Sequence, residues 1–189
     1  IGYAAMRYSN GSESQNVAIG YEAGTSMDNN DSSKSILIGY RAGKGGTGEI
    51  DRCVVIGDGA MDGTGAVGAQ QNIFIGNDAG GGTWTTAASN SNVAIGATAM
   101  ADALNGALGN TALGHDTLKA LTSGDYNVAV GYSALDAGTT VNNSVAIGAN
   151  AMGGVPSGQA VEYAVAVGTN ALLANGSTTT GINGTVAIG

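Results

Sequence analysis

The sequence predicts an all-β fold, a parallel β-solenoid or β-roll built from about ten coils of ~19 residues. Three observations lead to this prediction: a short motif that recurs along the chain, an excess of glycine, and apolar residues that alternate within each motif. Of the 189 residues, 34 are glycine and 1 is proline, whereas glycine usually makes up about 7% of a protein. Glycine permits sharp backbone bends, so the composition indicates many turns.

Each copy of the motif has a polar residue, then two aliphatic residues separated by one residue that is usually Ala, and then a glycine. Successive repeat glycines are 17 to 21 residues apart. They are Gly2, Gly20, Gly39, Gly57, Gly76, Gly96, Gly114, Gly131, Gly148, Gly168 and Gly189. We expect residues 1–189 to form a single repeat array. Because the chain begins and ends inside a repeat, we expect it to be a segment of a longer protein.

The segment 145–148 (VAIG) illustrates how one copy is expected to fold. Val145 and Ile147 are two residues apart, so in a strand they share one face, while Ala146 points to the other. Gly148 then allows a sharp bend. Ala151, three residues after the glycine, is small enough for the interior of a tight coil. Since both faces of the strand are apolar, we expect both to be buried.

Stacking of the coils should align equivalent residues into ladders. Parallel strands lie ~4.8 Å apart, so ten coils would form a body roughly 50 Å long. The fifth repeat departs most from the others, because Phe74 takes the place that Val55 and Ala94 occupy in neighbouring coils, and the coil must widen or its neighbours must shrink. Asparagine recurs before the strand, where amides can exchange hydrogen bonds: Asn16, Asn72, Asn92, Asn110 and Asn127.

The connectors between motifs are rich in Gly, Ser, Thr, Asn and Asp, which are typical of turns and loops. Of the 20 charged residues, 15 lie in connectors and the other five follow a repeat glycine by one or two positions, which indicates that these two positions face solvent. Loops on a rigid scaffold are where recognition is usually built. We therefore expect any receptor to bind the longest connectors, 81–91, 153–163 and 173–184.

Charge and cysteine content exclude several classes of function. The net charge is −8, and an acidic surface is a poor partner for nucleic acid. No apolar run of ~20 residues occurs, so we expect no membrane insertion of this segment. The single cysteine, Cys53, cannot form a disulfide within the chain. It takes the polar place of its repeat, which indicates a buried, inert thiol.

We predict that the chain is not an enzyme and binds no cofactor or metal. His115 follows a repeat glycine where other copies carry tyrosine, which is typical of surface variation. A hexapeptide-repeat acyltransferase needs an aliphatic residue every six positions, but Thr25 and Asp31 occupy those places after Ile19. A polysaccharide-acting solenoid enzyme needs clustered carboxylates, and here they are scattered. The stretch 45–51 resembles a calcium-binding repeat, but its Asp is one residue late and the motif does not recur.

Three aromatic residues are candidate receptor contacts. Trp84 lies in a glycine-rich connector, where an exposed ring could stack on a sugar or contact a receptor protein. The alternative is that Trp84 packs over the edge of the coil. Tyr21 and Tyr40 directly follow repeat glycines on adjacent coils, so we expect them to form a ladder.

One apolar side of every strand must lie outside the coil when the other side points inward. Over ten coils this leaves a long apolar stripe, whereas soluble monomers rarely expose a contiguous patch beyond ~300–600 Å². We therefore expect the stripe to pack against copies of the same chain around an axis. The spacing of the repeats does not give the number of copies.

The repeats at 92–96 (NVAIG) and 144–148 (SVAIG) closely resemble the head repeats of trimeric autotransporter adhesins, and the stretches 109–114 and 120–127 are similar to repeats of bacteriophage tail fibres. The resemblance covers essentially all 189 residues. It implies an extracellular homotrimer of β-rolls, on a virion or a bacterial surface, that attaches to a host glycan or protein receptor. Adhesin head coils are typically shorter than ~19 residues, which favours the tail fibre and implies loops or extra strands outside the roll.

Overall fold

The chain folds into one long parallel sheet with turns on both sides, in a computed structural model that describes residues 1–9, 14–27, 32–156, 158–173 and 182–189. No helix occurs in these ranges. The predicted all-β parallel solenoid is confirmed. The main sheet consists of β1 (Val17–Ile19), β2 (Ile36–Ile38), β4 (Val54–Ile56), β6 (Ile73–Ile75), β7 (Val93–Ile95), β8 (Thr111–Leu113), β9 (Val128–Val130), β11 (Val145–Ile147), β13 (Val165–Val167) and β14 (Val186–Ile188).

Every copy of the motif pairs in phase with the next copy. Val145, for example, pairs with Val128 in the preceding coil and with Val165 in the following coil. All neighbouring strands of the main sheet are parallel, and their order follows the chain. One coil therefore separates each strand from the next, and equivalent residues form columns along the solenoid.

The connectors contribute short strands of their own. These are β3 (Ile50–Asp51), β5 (Ala69–Gln70), β10 (Thr140–Asn142) and β12 (Ala160–Glu162), which pair in parallel as β3–β5 and β10–β12. Val141 and Val161 are buried in the same apolar core as the main strands. The long connectors thus form part of the coil wall, which corrects the expectation that extra strands would lie outside the roll.

Within each main strand, the central side chain points into the coil and its two neighbours point outward. In β7, Ala94 is fully buried, whereas Val93 and Ile95 are partly exposed. The same alternation holds in the other main strands, although the central Ala187 of the last one is only half-buried. The prediction that both strand faces are buried is therefore wrong for a single chain, because the coil encloses only one of them.

The repeat glycines allow successive coils to approach each other closely. From Gly2 to Gly168 they have φ between 125° and 144°. A Cβ atom built on Gly96 would overlap the carbonyl group of Gly114 in the next coil, and the other repeat glycines from Gly2 to Gly168 show the same overlap. Glycine is thus required both by the backbone conformation and by the contact between coils.

Non-glycine residues adopt left-handed conformations at recurring corners of the coil. Ser91, Thr98 and Met100 have φ of 59°, 54° and 51°, and their counterparts in other coils are similar. Such conformations cost an L-residue ~1–2 kcal/mol. The backbone N–H groups of these residues donate to carbonyl groups of an adjacent coil, as in Thr98 N to Asn77 O at 2.8 Å. The coil-to-coil hydrogen bonds therefore extend through the turns and hold the corners in place.

The interior volume of a coil is shared between two positions six residues apart. Gly80 lies against Phe74, where a Cβ would come within 2.9 Å of the ring, and Gly43 lies against Leu37 in the same way. Four coils with alanine in the strand carry a large buried residue at the second position, namely Met100, Leu118, Leu135 and Met152. The coil of Ala18 is an exception, since Gly24 in that coil lies against Leu37 of the next coil. Neither a wider coil nor smaller neighbouring coils, the two expected responses to Phe74, is what the contact at Gly80 shows: the space for the ring comes from a small residue within the same coil.

The predicted asparagine ladder is present and buried from Asn72 to Asn127, whereas Asn16 lies apart from it, because Ser35 and Cys53 hold its place in the next two coils. Asn92, Asn110 and Asn127 each direct Nδ2 at Oδ1 of the preceding asparagine, over 2.9 to 3.3 Å. The same Oδ1 atoms accept the backbone N–H of the next ladder residue at 2.9 to 3.0 Å. Nδ2 also donates to a carbonyl group of its own coil, as in Asn110 to Gly124 O at 2.8 Å. The ladder is therefore a satisfied polar network inside an apolar body.

We expect Phe74→Ala to lower the free energy of unfolding by ~3–5 kcal/mol, because it leaves a cavity in a close-packed interior. Gly80→Met alone should also destabilise, since the new side chain collides with Phe74. The double variant recreates the pairing of Ala94 with Met100, so its loss should be smaller than the sum of the two single losses. Chemical denaturation of all four proteins measures this coupling. Additive losses would contradict the shared-volume interpretation.

We expect Asn110→Leu to lower the free energy of unfolding by at least about 3 kcal/mol, because several buried hydrogen-bonding groups lose their partner at ~1–3 kcal/mol each. Asn77→Leu is the matched control, since Asn77 is exposed and its side chain makes one hydrogen bond, to Asp58 O at 3.2 Å. The control should change stability by less than about 1 kcal/mol. Equal effects of the two substitutions, measured by thermal unfolding, would show that the ladder does not stabilise the fold.

Candidate functional site

Among the described residues, the outer side of the main sheet exposes a continuous set of apolar side chains, which we call the apolar face. Its exposure is substantial, as shown by Leu113 at 46% and Ile36 at 39%. Two outer side chains on each of ten strands, at about 50 Å² each, give a patch of roughly 1,000 Å², above the ~300–600 Å² usual for monomers. The apolar face consists of Val17, Ile19, Ile36, Ile38, Val54, Ile56, Ile73, Ile75, Val93, Ile95, Thr111, Leu113, Val128, Val130, Val145, Ile147, Val165, Val167, Val186 and Ile188.

The apolar character is specific to the main sheet. Strand β10 alternates in the same way, with Val141 inside, but its outer residues are Thr140 and Asn142. In β12 the outer residues are Ala160 and Glu162. A wall that faces water is thus polar on its outer side, and the main sheet differs from it.

Two columns of mostly exposed residues border the apolar face. The leading edge consists of the residues five positions before each repeat glycine: Gln15, Lys34, Arg52, Gln71, Ser91, Gly109, Tyr126, Asn143, Tyr163 and Gly184. The trailing edge consists of the residues directly after each repeat glycine: Tyr3, Tyr21, Tyr40, Asp58, Asn77, Ala97, His115, Tyr132, Ala149 and Thr169. Because the chain passes from one edge through the strand to the other, the edges lie on opposite sides of the face.

The predicted ladder of Tyr21 and Tyr40 is present and includes Tyr3. The ring centroids are 5.4 Å apart for Tyr3–Tyr21 and 5.2 Å for Tyr21–Tyr40, with interplanar angles of 14° and 9°. The negative charge of Glu22 raises the pKa of Tyr21, and burial and the two neighbouring tyrosines add to the shift. Both flat faces of the Tyr21 ring are covered by its neighbours, so this ring offers only its edge and hydroxyl group to a partner.

Trp84 is fully buried, which contradicts its prediction as a receptor contact. Its ring meets Phe74 edge-to-face, at 5.9 Å between centroids and 74° between planes. The indole Nε1 has no hydrogen-bond partner among the described residues. The alternative interpretation, that Trp84 packs against the coil, is correct.

The long connectors expose few large side chains. In 81–91, Thr85 and Thr86 are exposed, and their backbone N–H groups donate to Asn105 Oδ1 at 2.8 and 3.0 Å. In 153–163, Val155 and Val161 are buried. Most of 173–184 lies outside the described residues. Apart from Tyr163 and Leu173, which are 62% and 48% exposed, the exposed parts of the described connectors are therefore mainly small and polar.

Charged side chains next to the trailing edge pair with one another. Glu22 Oε2 lies 3.2 Å from Lys44 Nζ, and Asp62 Oδ2 lies 3.6 Å from Arg41 Nη2. Burial raises the pKa of Asp62, although the Arg41 charge opposes this shift. Within the described ranges, no group of three or more His, Cys, Asp or Glu side chains is placed to hold a metal ion.

His115 lies at the surface, as predicted. Its ring stacks on Tyr132 with centroids 5.5 Å apart, and Nδ1 lies 2.9 Å from Asp116 Oδ2. A hydrogen bond from Thr98 lowers the pKa of Asp116, and contacts with Lys119 add to the shift. His115 therefore takes part in a surface network at the trailing edge.

Cys53 is buried, and the prediction of an inert thiol is supported. Its Sγ contacts the carbonyl oxygens of Asp51 and Ala69 at 3.4 and 3.3 Å, and its backbone N–H donates to Ser35 Oγ at 3.0 Å. Burial raises the pKa of Cys53 to about 11. A thiol in this state is neutral at physiological pH and unreactive as a nucleophile.

Comparison with known proteins found no family model, curated protein or solved structure that matches this chain. The described residues contain no helix that is long and apolar enough to cross a membrane.

We expect the pH dependence of stability above pH 9 to depend on Cys53. The pKa of the thiol is 9.0 in the unfolded chain and about 11 in the folded chain. The stabilisation from the buried neutral thiol is therefore complete below pH 9 and is lost as the pH rises towards 11. Over this window the wild type should lose roughly 2–3 kcal/mol relative to Cys53→Ser, at 1.36 kcal/mol per pKa unit. Serine is a suitable control because Ser35 and Ser144 hold the same place. Parallel stability curves for the two proteins would contradict a buried thiol.

Proposed function

We propose that this chain is a structural and adhesive segment of a trimeric fibre, in which three copies pack their apolar faces around a common axis. The observation that carries the proposal is the apolar face itself. Its area of roughly 1,000 Å² per copy is comparable to the ~800 Å² that each partner contributes to a standard protein interface. The number of three copies comes from the resemblance to trimeric β-roll fibres.

A second copy of the chain is the partner that suits this face. The face repeats its side chains every ~4.8 Å over ten layers. A partner that covers all layers with equal packing needs the same repeat, and an identical chain has it. Closed symmetric assembly of identical copies is also the usual form of soluble oligomers.

The interior suits a rod that spaces and presents other parts of a fibre. Glycine contacts and backbone hydrogen bonds join successive coils, and the asparagine ladder adds side-chain hydrogen bonds between the coils from Asn72 to Asn127. We therefore propose a mechanical and adhesive role, not an enzymatic one, in a bacteriophage tail fibre involved in host attachment. The proposed location is outside the cell, on the virion.

The head of a bacterial surface adhesin is the second candidate, and the repeat at 92–96 favours it. The ~19-residue coil, with β3, β5, β10 and β12 in its connectors, favours the tail fibre. The rest of the protein's sequence separates the two: a membrane barrel would indicate the adhesin, and a virion-attachment domain would indicate the fibre. In either case a host glycan or protein receptor would contact exposed connector residues such as Thr85 and Thr86, since Trp84 is buried.

We expect Ile147→Lys to abolish assembly while each chain keeps its fold, because a charge on the apolar face cannot be desolvated between copies. Thr140→Lys is the matched control, since it places the same charge on the outer side of β10. Light scattering should give a trimer for the wild type and the control, and a smaller species for Ile147→Lys. A monomeric wild type, or a trimer that tolerates Ile147→Lys, would contradict the proposal.

The adhesive part of the proposal is tested by binding of labelled wild-type assembly to an array of bacterial surface glycans and to intact bacteria. Binding that is lost with Ile147→Lys and kept with Thr140→Lys supports attachment by the assembled fibre. Absence of binding with the trimer intact would leave a spacer role and overturn the adhesive one.

A further inference from the structure

We propose that Tyr3, Tyr21 and Tyr40 form an oxidative cross-linking site, at which a one-electron oxidant joins the ring of Tyr21 to a neighbouring ring as dityrosine. The class of oxidant is a haem peroxidase with hydrogen peroxide. The product is a covalent link between successive coils of one chain. This inference concerns a modification within a single chain, so it does not depend on the number of copies in the assembly.

The tyrosine ladder holds reactive rings next to each other. The ring centroids are 5.4 Å apart for Tyr3–Tyr21 and 5.2 Å for Tyr21–Tyr40, and the rings are within 14° of parallel. All seven tyrosines of the chain lie in the described ranges, and only these three stack on another tyrosine; Tyr132 stacks on His115 instead. Groups that are held together react far faster than groups that must first meet. Coupling should therefore favour the ladder over the other tyrosines.

Oxidation should fall on the exposed tyrosines. Besides tyrosine, the side chains that most readily give up one electron are the thiolate and the indole. Cys53 and Trp84, the single cysteine and the single tryptophan, are both fully buried. Burial also raises the pKa of Cys53 to about 11, so its reactive thiolate is scarce at neutral pH. The three ladder tyrosines are between 42% and 69% exposed, and an oxidant can reach them from solvent.

The coupling step removes two hydrogen atoms from the chain. Each of two phenols gives one electron to the oxidant and releases its phenolic proton, which leaves two phenoxyl radicals. The radicals form a carbon–carbon bond between ring positions ortho to the two oxygens. Each ring then transfers its ortho proton to its oxygen, which restores both phenols. Hydrogen peroxide takes up the two electrons and two protons and becomes two molecules of water.

Glu22 is placed to accept the phenolic proton of Tyr21. Its negative charge is the main cause of the raised pKa of Tyr21, and burial, the two neighbouring tyrosines and a hydrogen bond with Glu22 add to the shift. An oxidised phenol is a strong acid, so a nearby carboxylate is a sufficient base. Lys44 Nζ lies 3.2 Å from Glu22 Oε2, and this ion pair restrains the carboxylate at the corner of the coil.

Tyr21 must take part in every link that the ladder forms. Tyr3 and Tyr40 are two coils apart, about 10 Å along the solenoid, which is too far for a direct bond between their rings. Stacked rings present their faces to each other, whereas coupling joins their edges. The rings must therefore turn before they bond, and their exposure leaves room for this rotation.

Treatment with a haem peroxidase and hydrogen peroxide tests the inference on the wild-type chain. We expect dityrosine fluorescence, a linked pair of peptides that contains Tyr21 and has lost two hydrogen atoms, and a chain that still migrates as a monomer on a denaturing gel. Ile147→Lys, which should dissociate the proposed assembly, should give the same product because both rings belong to one chain. Failure of the assembly and failure of the cross-link are therefore separate results.

Tyr21→Phe should lower the yield of dityrosine about tenfold, because the remaining ladder rings are no longer adjacent. Tyr132→Phe is the matched control: it removes an exposed ring that stacks on His115 and should keep the full yield. Equal yields from these two variants, or links found only between separate chains, would overturn the site.

Glu22→Gln should slow the initial rate of coupling several-fold while the linked peptides stay the same. An unchanged rate would overturn the assigned role of Glu22. The link should also raise the midpoint of thermal unfolding of the oxidised wild type above that of oxidised Tyr21→Phe, since it restricts the unfolded chain as a disulfide does. Equal midpoints in the presence of the link would overturn its role in joining the coils.

Discussion

The contact between repeat glycines of successive coils is the constraint on which the rest of the structure depends. The carbonyl group of each glycine occupies the space where a Cβ of the preceding glycine would lie, so no other residue permits this approach. The contact repeats in every coil and keeps the strands in phase. Once the strands are in phase, equivalent side chains form columns, and each column must suit a repeated environment. The asparagine ladder, the stacked tyrosines and the apolar face all follow from that alignment.

Because equivalent residues form columns, every inner side chain has similar neighbours in the coils above and below. The packing of the interior is therefore sensitive to the volume of each inner side chain. The chain meets this condition by exchanging size between two positions of one coil, as Phe74 with Gly80 and Ala94 with Met100 illustrate. Close-packed interiors transmit a change of even one methylene group. Trp84 is accommodated in a similar way, because its indole packs inside the coil that holds Phe74. Departures from the repeat are therefore local and are compensated within a coil or its direct neighbour.

Columns also form on the outside, where they produce surfaces that are uniform along the whole solenoid. A polar column can face water, as the outer residues of β10 and β12 do. The apolar face of the main sheet, by contrast, cannot interact favourably with water, and a single chain leaves it exposed. In the proposed assembly, the outer strand face would be buried between copies, as the inner face is buried within one chain.

The sequence by itself determined the period, the position of the main strands, the small residue inside each coil, the asparagine ladder and the buried thiol of Cys53. These features depend on local spacing, which repeats and can be read directly. Only the tertiary structure decided which side of each strand points inward, because alternation with a period of two is the same for either side. It also decided that the connectors form part of the wall and that Trp84 is buried. Those outcomes depend on contacts between irregular segments, such as Trp84 with Phe74, for which the spacing of the repeat holds no information.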